Sequence, residues 1–185
     1  MIILASKSPR REEICRLIGL EFEIIPAKNE CDIDLTVAPE EAIRKVAEAK
    51  AQEVFRAHSK DIVIGADTAV YACGEFLGKP KSEQEAFQML KKLSGKTHQV
   101  FTGVSIILEN QKVSFCEKAD VEFSELTDSE ILEYIASKDP MDKAGAYGIQ
   151  GKGAKFVQRI NGDFYTVMGL PCARLYNELK AFDVF

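Results

Sequence analysis

The chain has 185 residues, of which 46% are hydrophobic and 29% are charged, and its formal net charge is -5. This length suits one domain that buries its own core, and the acidic balance argues against a protein that coats nucleic acid or an anionic membrane. No apolar run approaches the roughly 18 residues needed to span a bilayer, and the N-terminus lacks the features of a secretion signal. We therefore expect a cytoplasmic protein with no nucleic-acid or membrane partner, in which any bound anion is small.

The chain opens with a short apolar run followed by a helix start. Residues 1–5 suit a buried strand, and Pro9 fits the first position of a helix that Ser8 can cap. Arg10 and Arg11 then lie side by side in the first turn, where the helix macrodipole makes each cation cost about 0.3–1 kcal/mol. This cost predicts a compensating anion beside the two arginines.

Strands and helices alternate along the rest of the chain, without a linker or an internal repeat. Helices are predicted over residues 39–57, over 82–95 with a capping box at Ser82 and Glu85, from a second capping box at Thr127 and Glu130, and over 171–182. Strands are predicted over residues 61–66, 69–77 with a turn at Cys73 and Gly74, 99–108, 113–123 and 156–160. Because 99–108 and 113–123 should pair antiparallel, we expect a mixed sheet in an α/β fold.

The cysteines form an odd set without CxxC spacing. Such a set favours reduced, mostly buried thiols over disulfides or a structural zinc site. Its members are Cys15, Cys31, Cys73, Cys116 and Cys172.

Three charged residues depart from the pattern around them. Lys50 occupies a position of the apolar stripe of its helix, so it either extends along the surface to water or points its ammonium into a cleft. Asp67 follows the strand predicted over 61–66, where it is either a turn residue or one of the groups that gather at the carboxyl ends of strands. Lys79 precedes Pro80 and a helix start. It is therefore either a surface loop lysine or a cation that lies beside a binding site.

The glycine-rich segment AGAYGIQGKGAKF is not one of the common phosphate-binding motifs. A Walker A motif fails because Ala146 and Gly153 replace the required glycine and the Ser or Thr, and a dinucleotide fingerprint fails because no third glycine opens a helix. Its glycines still allow close backbone approach to a ligand. With two histidines, the chain cannot build an HExxH motif or a multi-histidine zinc site, and nothing marks a Ser-His-Asp triad.

The segments ASKSPRR, EAK, GADT, GKP, LSGKTHQVFTGV, DKAGAYGIQGKGAKFV and INGDFYTVMGLP, in this order and spacing, resemble the Maf-like nucleoside triphosphate pyrophosphatases over nearly the whole chain. The resemblance implies one domain over residues 1–185, with an elongated mixed β-sheet flanked by helices, like that of inosine triphosphate pyrophosphatases, and two lobes around a central cleft. It also implies hydrolysis of a nucleoside triphosphate to the monophosphate and pyrophosphate, which clears unwanted nucleotides. AYGIQG resembles the branch that prefers dTTP, UTP and related modified pyrimidine nucleotides over methylated GTP.

The resemblance implies a set of charged and polar functional positions: Ser6, Arg10, Arg11, Glu30, Lys50, Asp67, Lys79 and Gln150. Arg10 and Arg11, with the N–H groups of the first helical turn, would bind the triphosphate, and Lys79 would add positive charge as pyrophosphate leaves. A second group would border the base: Ser6, Lys7, Thr68 and Gln150.

The implied chemistry is metal-dependent. Asp67 and Glu30 would hold Mg²⁺ or Mn²⁺, and Asp67 would also activate the water that attacks the α-phosphorus. Three nearby carboxylates are alternatives to Glu30: Glu23, Asp32 and Asp34. Lys50 and Gln150 would position metal, water or phosphate.

Two other functions stay open at this point. The family is linked to division arrest and septum formation, so the chain could be a regulator that binds a nucleotide without hydrolysing it. It could also be a phosphatase that removes only the γ-phosphate and releases orthophosphate. The resemblance further implies a homodimer.

Overall fold

The structure is a computed structural model that describes residues 1–29 and 31–185. Its strands are Ile2–Leu4 (β1), Glu23–Ile24 (β2), Ile62–Ala72 (β3), Glu75–Leu77 (β4), Thr97–Leu108 (β5), Gln111–Phe123 (β6) and Val157–Asn161 (β7). Its helices are Pro9–Leu17 (α1), Pro39–Phe55 (α2), Glu83–Leu93 (α3), Asp128–Ala136 (α4), Phe164–Met168 (α5) and Cys172–Lys180 (α6). Short 3₁₀ helices cover Asp139–Asp142, Ala144–Ala146 and Lys152–Phe156.

The strands form one mixed sheet, which confirms the predicted α/β class. The strand order is β2-β1-β3-β5-β6-β7, and β4 pairs with β3. β1 runs parallel to β2 and β3, with Ile3 opposite Val63. β4 runs antiparallel to β3 and β7 antiparallel to β6, with Val121 opposite Ile160. The apolar runs of β1 and the start of β3 are typical of parallel strands that are covered on both faces.

Strand β3 is longer than the sequence predicts. A strand ending at residue 66 was expected, with Asp67 in the turn after it, but β3 continues through Asp67 to Ala72. It pairs with β1 up to Ile64 and with β4 from Val70 onward, and β5 is its other neighbour in the sheet. The expectation that Asp67 ends a strand is therefore wrong, because β3 continues beyond the end of its pairing with β1.

The chain forms two compact units. The first comprises Met1–Thr68, Thr102–Glu117 and Gly169–Phe185. Its core includes buried side chains of β1 and the residue after it, α2, β3 and β5: Ile3, Ala5, Ala51, Val54, Val63 and Ile107. These apolar contacts hold together α2 and β3, the elements that carry Lys50 and Asp67.

The second unit comprises Ala69–Phe101 and Lys118–Met168. Its core is rich in aromatic rings, and His98 is packed among them. The His98 ring lies edge-on to Phe123 and to Tyr147, with centroid separations of 4.9 and 5.3 Å. Tyr134 and Phe156 form a similar pair at 5.1 Å. Such edge-to-face pairs stabilise a core beyond the area that they bury.

Two glycines let helix α2 lie directly against the sheet. A Cβ added at Gly65 would be 2.6 Å from the carbonyl oxygen of Ala47 and 2.6 Å from the amide nitrogen of Ala51. A Cβ added at Gly103 would be 2.5 Å from the carbonyl oxygen of Ile43. Since no side chain fits in these gaps, glycine is required at both positions for the helix and strand backbones to approach this closely.

The predicted capping boxes have different outcomes. At the start of α4, Thr127 and Glu130 form the complete reciprocal box. At the start of α3, Ser82 accepts a hydrogen bond from the Glu85 amide at 3.1 Å, but the Glu85 carboxylate accepts from the amide of Lys81. The capping box at Ser82 is therefore only half formed, but α3 still begins where the sequence predicts.

The cysteines of the described residues are all free thiols, as expected, but most of them are not buried. Only Cys15 is buried, and Cys73 is exposed in the turn between β3 and β4. Cys73 and Gly74 both have positive φ, 53° and 83°, as a two-residue hairpin turn requires. The turn confirms the predicted hairpin and explains why this thiol lies at the surface.

Candidate active site

Three of the predicted site residues lie in the loop after β1 and in the first turn of α1. Ser6 is 7% exposed, and Arg10 and Arg11 lie in the first turn of α1, as predicted. Ser8 precedes the helix, but its side chain makes no capping hydrogen bond. Its amide instead donates to Ser6 Oγ at 3.3 Å. The loop therefore folds around the Ser6 hydroxyl rather than around a serine cap.

The Arg11 guanidinium joins four parts of the first unit. Its Nε donates to the carbonyl oxygen of Gly169 at 2.8 Å. Its Nη1 donates to Ser6 Oγ at 3.0 Å and to the carbonyl oxygen of Ala66 at 2.9 Å. Its Nη2 donates to Thr68 Oγ1 at 2.9 Å. Because a guanidinium has five N–H groups, these contacts leave one N–H for a ligand.

The buried position of Arg11 has an electrostatic effect. Burial lowers the pKa of the guanidinium, and the carboxylate of Asp67 raises it again. A guanidinium still stays protonated in a protein, so a fixed positive charge lies next to Asp67. We expected Arg11 to bind phosphate; its internal hydrogen bonds give it the additional task of holding the surrounding backbone in place.

Lys50 and Asp67 form an ion pair in the first unit. Lys50 Nζ donates to Asp67 Oδ1 in a short hydrogen bond, and the two side chains are 23% and 19% exposed. The close packing of α2 on Gly65 brings the helix within reach of the strand at this point. The pair explains why a lysine interrupts the apolar stripe of α2, because its ammonium has a carboxylate partner on the strand.

Of the two predicted metal ligands, Asp67 lies in β3 and Glu30 lies outside the described residues. Within residues 1–29 and 31–185, no group of three or more His, Cys, Asp or Glu side chains is arranged to hold a metal. Among the same residues, Asp67 Oδ2 has no hydrogen-bond donor, since Lys50 contacts Oδ1. One carboxylate oxygen is thus available to a cation.

Lys79 and Gln150 both belong to the second unit. Lys79 is exposed and precedes the buried Pro80. The residue before it, Gly78, accepts a hydrogen bond at its carbonyl oxygen from the amide of Gly145, at 3.0 Å. This bond ties the segment before Lys79 to the glycine-rich segment that also carries Gln150.

The glycines around Gln150 were expected to allow a ligand to approach the backbone. In the structure, three of them instead lie against side chains of the same unit: Gly148 against Lys143, Gly151 against Asp139 and Gly153 against Tyr134. The protein's own side chains therefore occupy the space beside these glycines, and a Cβ at any of the three positions would require one of those side chains to move.

Some residues of the site were not found by sequence reasoning. Gly169, with φ 124°, and Ala66 contribute carbonyl oxygens to Arg11, and a carbonyl contribution leaves no side-chain signal in a sequence. Thr102 is buried and shares a hydrogen bond of 2.9 Å with Thr68 Oγ1. A threonine among the apolar residues and glycine of residues 100–104 was the available signal for this contact.

The chain resembles known proteins over nearly its whole length. The profile of the family described as Maf-like protein matches residues 1–182. A relative from Bacillus cereus, named dTTP/UTP pyrophosphatase, is 52% identical over 183 residues, which cover 99% of this chain and 96% of the relative. A relative of the same name from Bacillus mycoides is 52% identical over 182 residues, covering 98% and 95%.

Two solved structures were also compared with the fold. A HAM1 protein from Coxiella burnetii has a TM-score of 0.49 at 16% identity, covering 97% of this chain and 98% of that one. A nucleoside-triphosphatase / dITP/XTP pyrophosphatase from Mycobacterium abscessus has a TM-score of 0.45 at 10% identity, covering 98% and 96%.

No helix in the described part of the chain combines the length and apolar character needed to cross a bilayer.

The family match extends over almost the entire sequence, and the identity to the two relatives is high over nearly their full lengths. The chain therefore belongs to the family of Maf-like proteins.

Proposed function

We propose that this chain hydrolyses nucleoside triphosphates, with dTTP and UTP as preferred substrates, to the nucleoside monophosphate and pyrophosphate. The observation that carries the proposal is the Lys50–Asp67 pair beside the Arg11 guanidinium, in a chain 52% identical to relatives named dTTP/UTP pyrophosphatase. Related modified pyrimidine nucleotides are further candidate substrates, and removal of such nucleotides would be the cellular role.

Asp67 is the proposed general base. Its carboxylate would accept the proton of the water that attacks the α-phosphorus, and pyrophosphate would then leave. Lys50, by its hydrogen bond to Oδ1, would hold the carboxylate in one orientation and leave Oδ2 for the water or a cation. A base held in one orientation needs less reorganisation in the transition state.

The first turn of α1 is the proposed phosphate-binding element. The helix dipole favours an anion at this end of α1, and Arg10 extends from the same turn. Arg11 would contribute its one remaining N–H and would hold Ser6 in the loop. The cost of two adjacent cations at a helix start would thereby be offset by the triphosphate.

A divalent cation, Mg²⁺ or Mn²⁺, is part of the proposal. Mg²⁺ is usually held by one or two carboxylates together with phosphate oxygens and water, so Oδ2 of Asp67, which accepts no hydrogen bond from the described residues, fits this role without a larger acidic cluster. Glu30 is proposed as the second ligand. The cation, when bound, would neutralise phosphate charge and orient the attacking water.

Two residues of the second unit complete the proposal. Lys79, exposed and without a partner among the described residues, would stabilise the negative charge of the leaving pyrophosphate. Gln150 would position phosphate or base by hydrogen bonds from its amide. The free cysteines support a reducing compartment, and so the cytoplasm; a homodimer remains a prediction of the resemblance.

The products of hydrolysis test the proposed function. Purified protein is incubated with dTTP, UTP, CTP, GTP, ATP or methylated GTP, with Mg²⁺ or Mn²⁺ and with a chelator, and pyrophosphate is resolved from orthophosphate. We expect dTMP or UMP with pyrophosphate, fastest for dTTP and UTP and absent with the chelator. Orthophosphate with a diphosphate would indicate a γ-phosphatase, and tight binding without turnover would indicate a regulator.

A further inference from the structure

Three polar side chains form a hydrogen-bonded group in the second unit, and none of them has been given a role above. The hydroxyl of Tyr134 donates to Asp139 Oδ2 at 2.9 Å and accepts from the amide of Gly148 at 3.3 Å. Lys143 Nζ donates to the carbonyl oxygen of Asp139 at 2.5 Å, to its Oδ1 at 3.3 Å and to Asp142 Oδ1 at 2.6 Å. We call Tyr134, Asp139 and Lys143 the brace.

The brace is well enclosed for a group of this polarity. Tyr134 is 1% exposed, and the side chains of Lys143 and Asp139 are 12% and 25% exposed. Burial and the hydrogen bond to Asp139 raise the pKa of Tyr134, so its hydroxyl stays protonated and continues to donate. Polar groups buried to this extent are retained where their hydrogen bonds fix a specific arrangement.

Three glycines of the glycine-rich segment lie against side chains of the brace. A Cβ at Gly148 would be 2.6 Å from Lys143 Cε, one at Gly151 would be 2.5 Å from Asp139 Oδ2, and one at Gly153 would be 2.8 Å from Tyr134 Oη. Each glycine thus contacts a different member of the brace. The hydrogen bond from the Gly148 amide to the Tyr134 hydroxyl is a fourth contact between the segment and the brace.

Gln150 lies between two of these contact points, Gly148 and Gly151. We propose that Tyr134, Asp139 and Lys143 are positioning residues, which hold the backbone on both sides of Gln150 so that its amide meets the substrate in one orientation. The proposal rests on the function proposed above for Gln150 and assigns none of the three residues a contact with substrate. A displacement of about 1 Å in such a group can cost up to about a hundredfold in rate.

The proposal is tested with four proteins: wild type, Tyr134→Phe, Gln150→Ala and the double variant. Tyr134→Phe removes one hydroxyl and keeps the ring that packs on Phe156. We expect it to lower kcat for dTTP by about tenfold to a hundredfold. In the Gln150→Ala background the same change should lower kcat by less than about twofold, because the residue that it positions is already gone.

The control is Tyr176→Phe, which removes a hydroxyl from a tyrosine that is 37% exposed on α6. It should keep wild-type kcat. Losses that multiply in the double variant, or full activity in Tyr134→Phe, would overturn the proposal. If Tyr134→Phe does not fold, Asp139→Asn replaces it in the same cycle, since it removes the charge that pairs with Lys143 and keeps an oxygen for Tyr134.

A second readout separates this proposal from the proposed function. Amide hydrogen exchange of residues 147–151 is measured in wild type, Tyr134→Phe and Tyr176→Phe, and does not depend on turnover. If the wild type releases no pyrophosphate, the proposed function fails. Faster exchange confined to this segment in Tyr134→Phe would then still support the brace, and unchanged exchange would overturn it.

Discussion

Lys50, in the C-terminal half of α2, donates a hydrogen bond to Asp67 in the middle of β3, and neither side chain is more than 23% exposed. The lysine departs from the apolar pattern of its helix, and the aspartate is the one charged residue in a mostly buried strand. Each departure would be unfavourable alone, because a partly buried charge without a partner is costly. The two departures are therefore explained by each other.

The first prediction concerns this pair. Lys50→Met should lower the turnover of dTTP at least tenfold and reduce the free energy of unfolding by about 1–3 kcal/mol, because Asp67 loses its partner. In an Asp67→Asn background the same change should have little effect on either quantity. Lys45→Met on the same helix is the control, since Lys45 forms only exposed ion pairs with Asp34 and Glu41. Additive losses from Lys50→Met and Asp67→Asn would contradict a functional pair.

Gly65→Ala tests how the pair is assembled. The added methyl would lie 2.6 Å from the backbone of α2, so the helix must move away from the strand. We expect the free energy of unfolding to fall by about 1–3 kcal/mol and turnover to fall with it, although no charged group is changed. Gly78→Ala is the control for stability, because nothing lies within 4 Å of its added methyl. A fully stable and active Gly65→Ala protein would show that close packing of α2 is dispensable.

The two arginines should respond differently to replacement by lysine. Arg11→Lys keeps the charge but cannot reproduce the bonds to Gly169, Ser6, Ala66 and Thr68. We expect it to lower the free energy of unfolding by about 3 kcal/mol in urea titrations. Arg10→Lys should leave stability within about 0.5 kcal/mol and raise KM for dTTP. Equal stability of the two variants would indicate that Arg11 acts mainly on substrate.

His98 should make stability depend on pH. Burial lowers the pKa of His98 to about 4, against an ordinary value of 6.5. Between these values the unfolded chain binds a proton that the folded chain does not, so stability is complete above pH 6.5 and is lost as the pH falls toward 4. The loss from this one group is about 3 kcal/mol.

Urea unfolding of wild type and His98→Gln between pH 7 and pH 4 measures this loss. The variant should lose less stability on acidification than the wild type does, even if it is less stable at pH 7 because the 2.7 Å contact with Tyr147 is altered. His58→Gln, at a partly exposed histidine near Asp61, is the control and should keep the wild-type slope. Parallel curves for wild type and His98→Gln would contradict the prediction.

Local sequence signals predicted most of the fold. Proline at the first helical position, the Thr127 box and the turn at Cys73 and Gly74 act within a few residues, so they fixed the starts of α1, α2 and α4 and the β3–β4 hairpin. The two-residue strand β2 and the short helix α5 were missed. β2 is defined by its pairing with β1, and α5 is too short to show helical periodicity.

The candidate site was predicted as a set of residue types, and its contacts were not. Sequence pattern marked Lys50 and Asp67 separately as exceptions, but their contact depends on a helix crossing a strand at Gly65. The internal role of Arg11 depends on carbonyl oxygens of distant segments, which no side-chain pattern reveals. Long-range geometry of this kind is set by packing rather than by local propensity.

The central claim is that Asp67 activates water for attack on the α-phosphorus. Hydrolysis of dTTP in water labelled with heavy oxygen, followed by mass spectrometry of both products, tests it most directly. We predict that the label enters dTMP and not pyrophosphate, and that Asp67→Asn slows this reaction by about 10²- to 10⁴-fold while Asp183→Asn, at an exposed C-terminal residue, does not. Label in pyrophosphate or orthophosphate, or near wild-type turnover in a folded Asp67→Asn protein, would contradict the account.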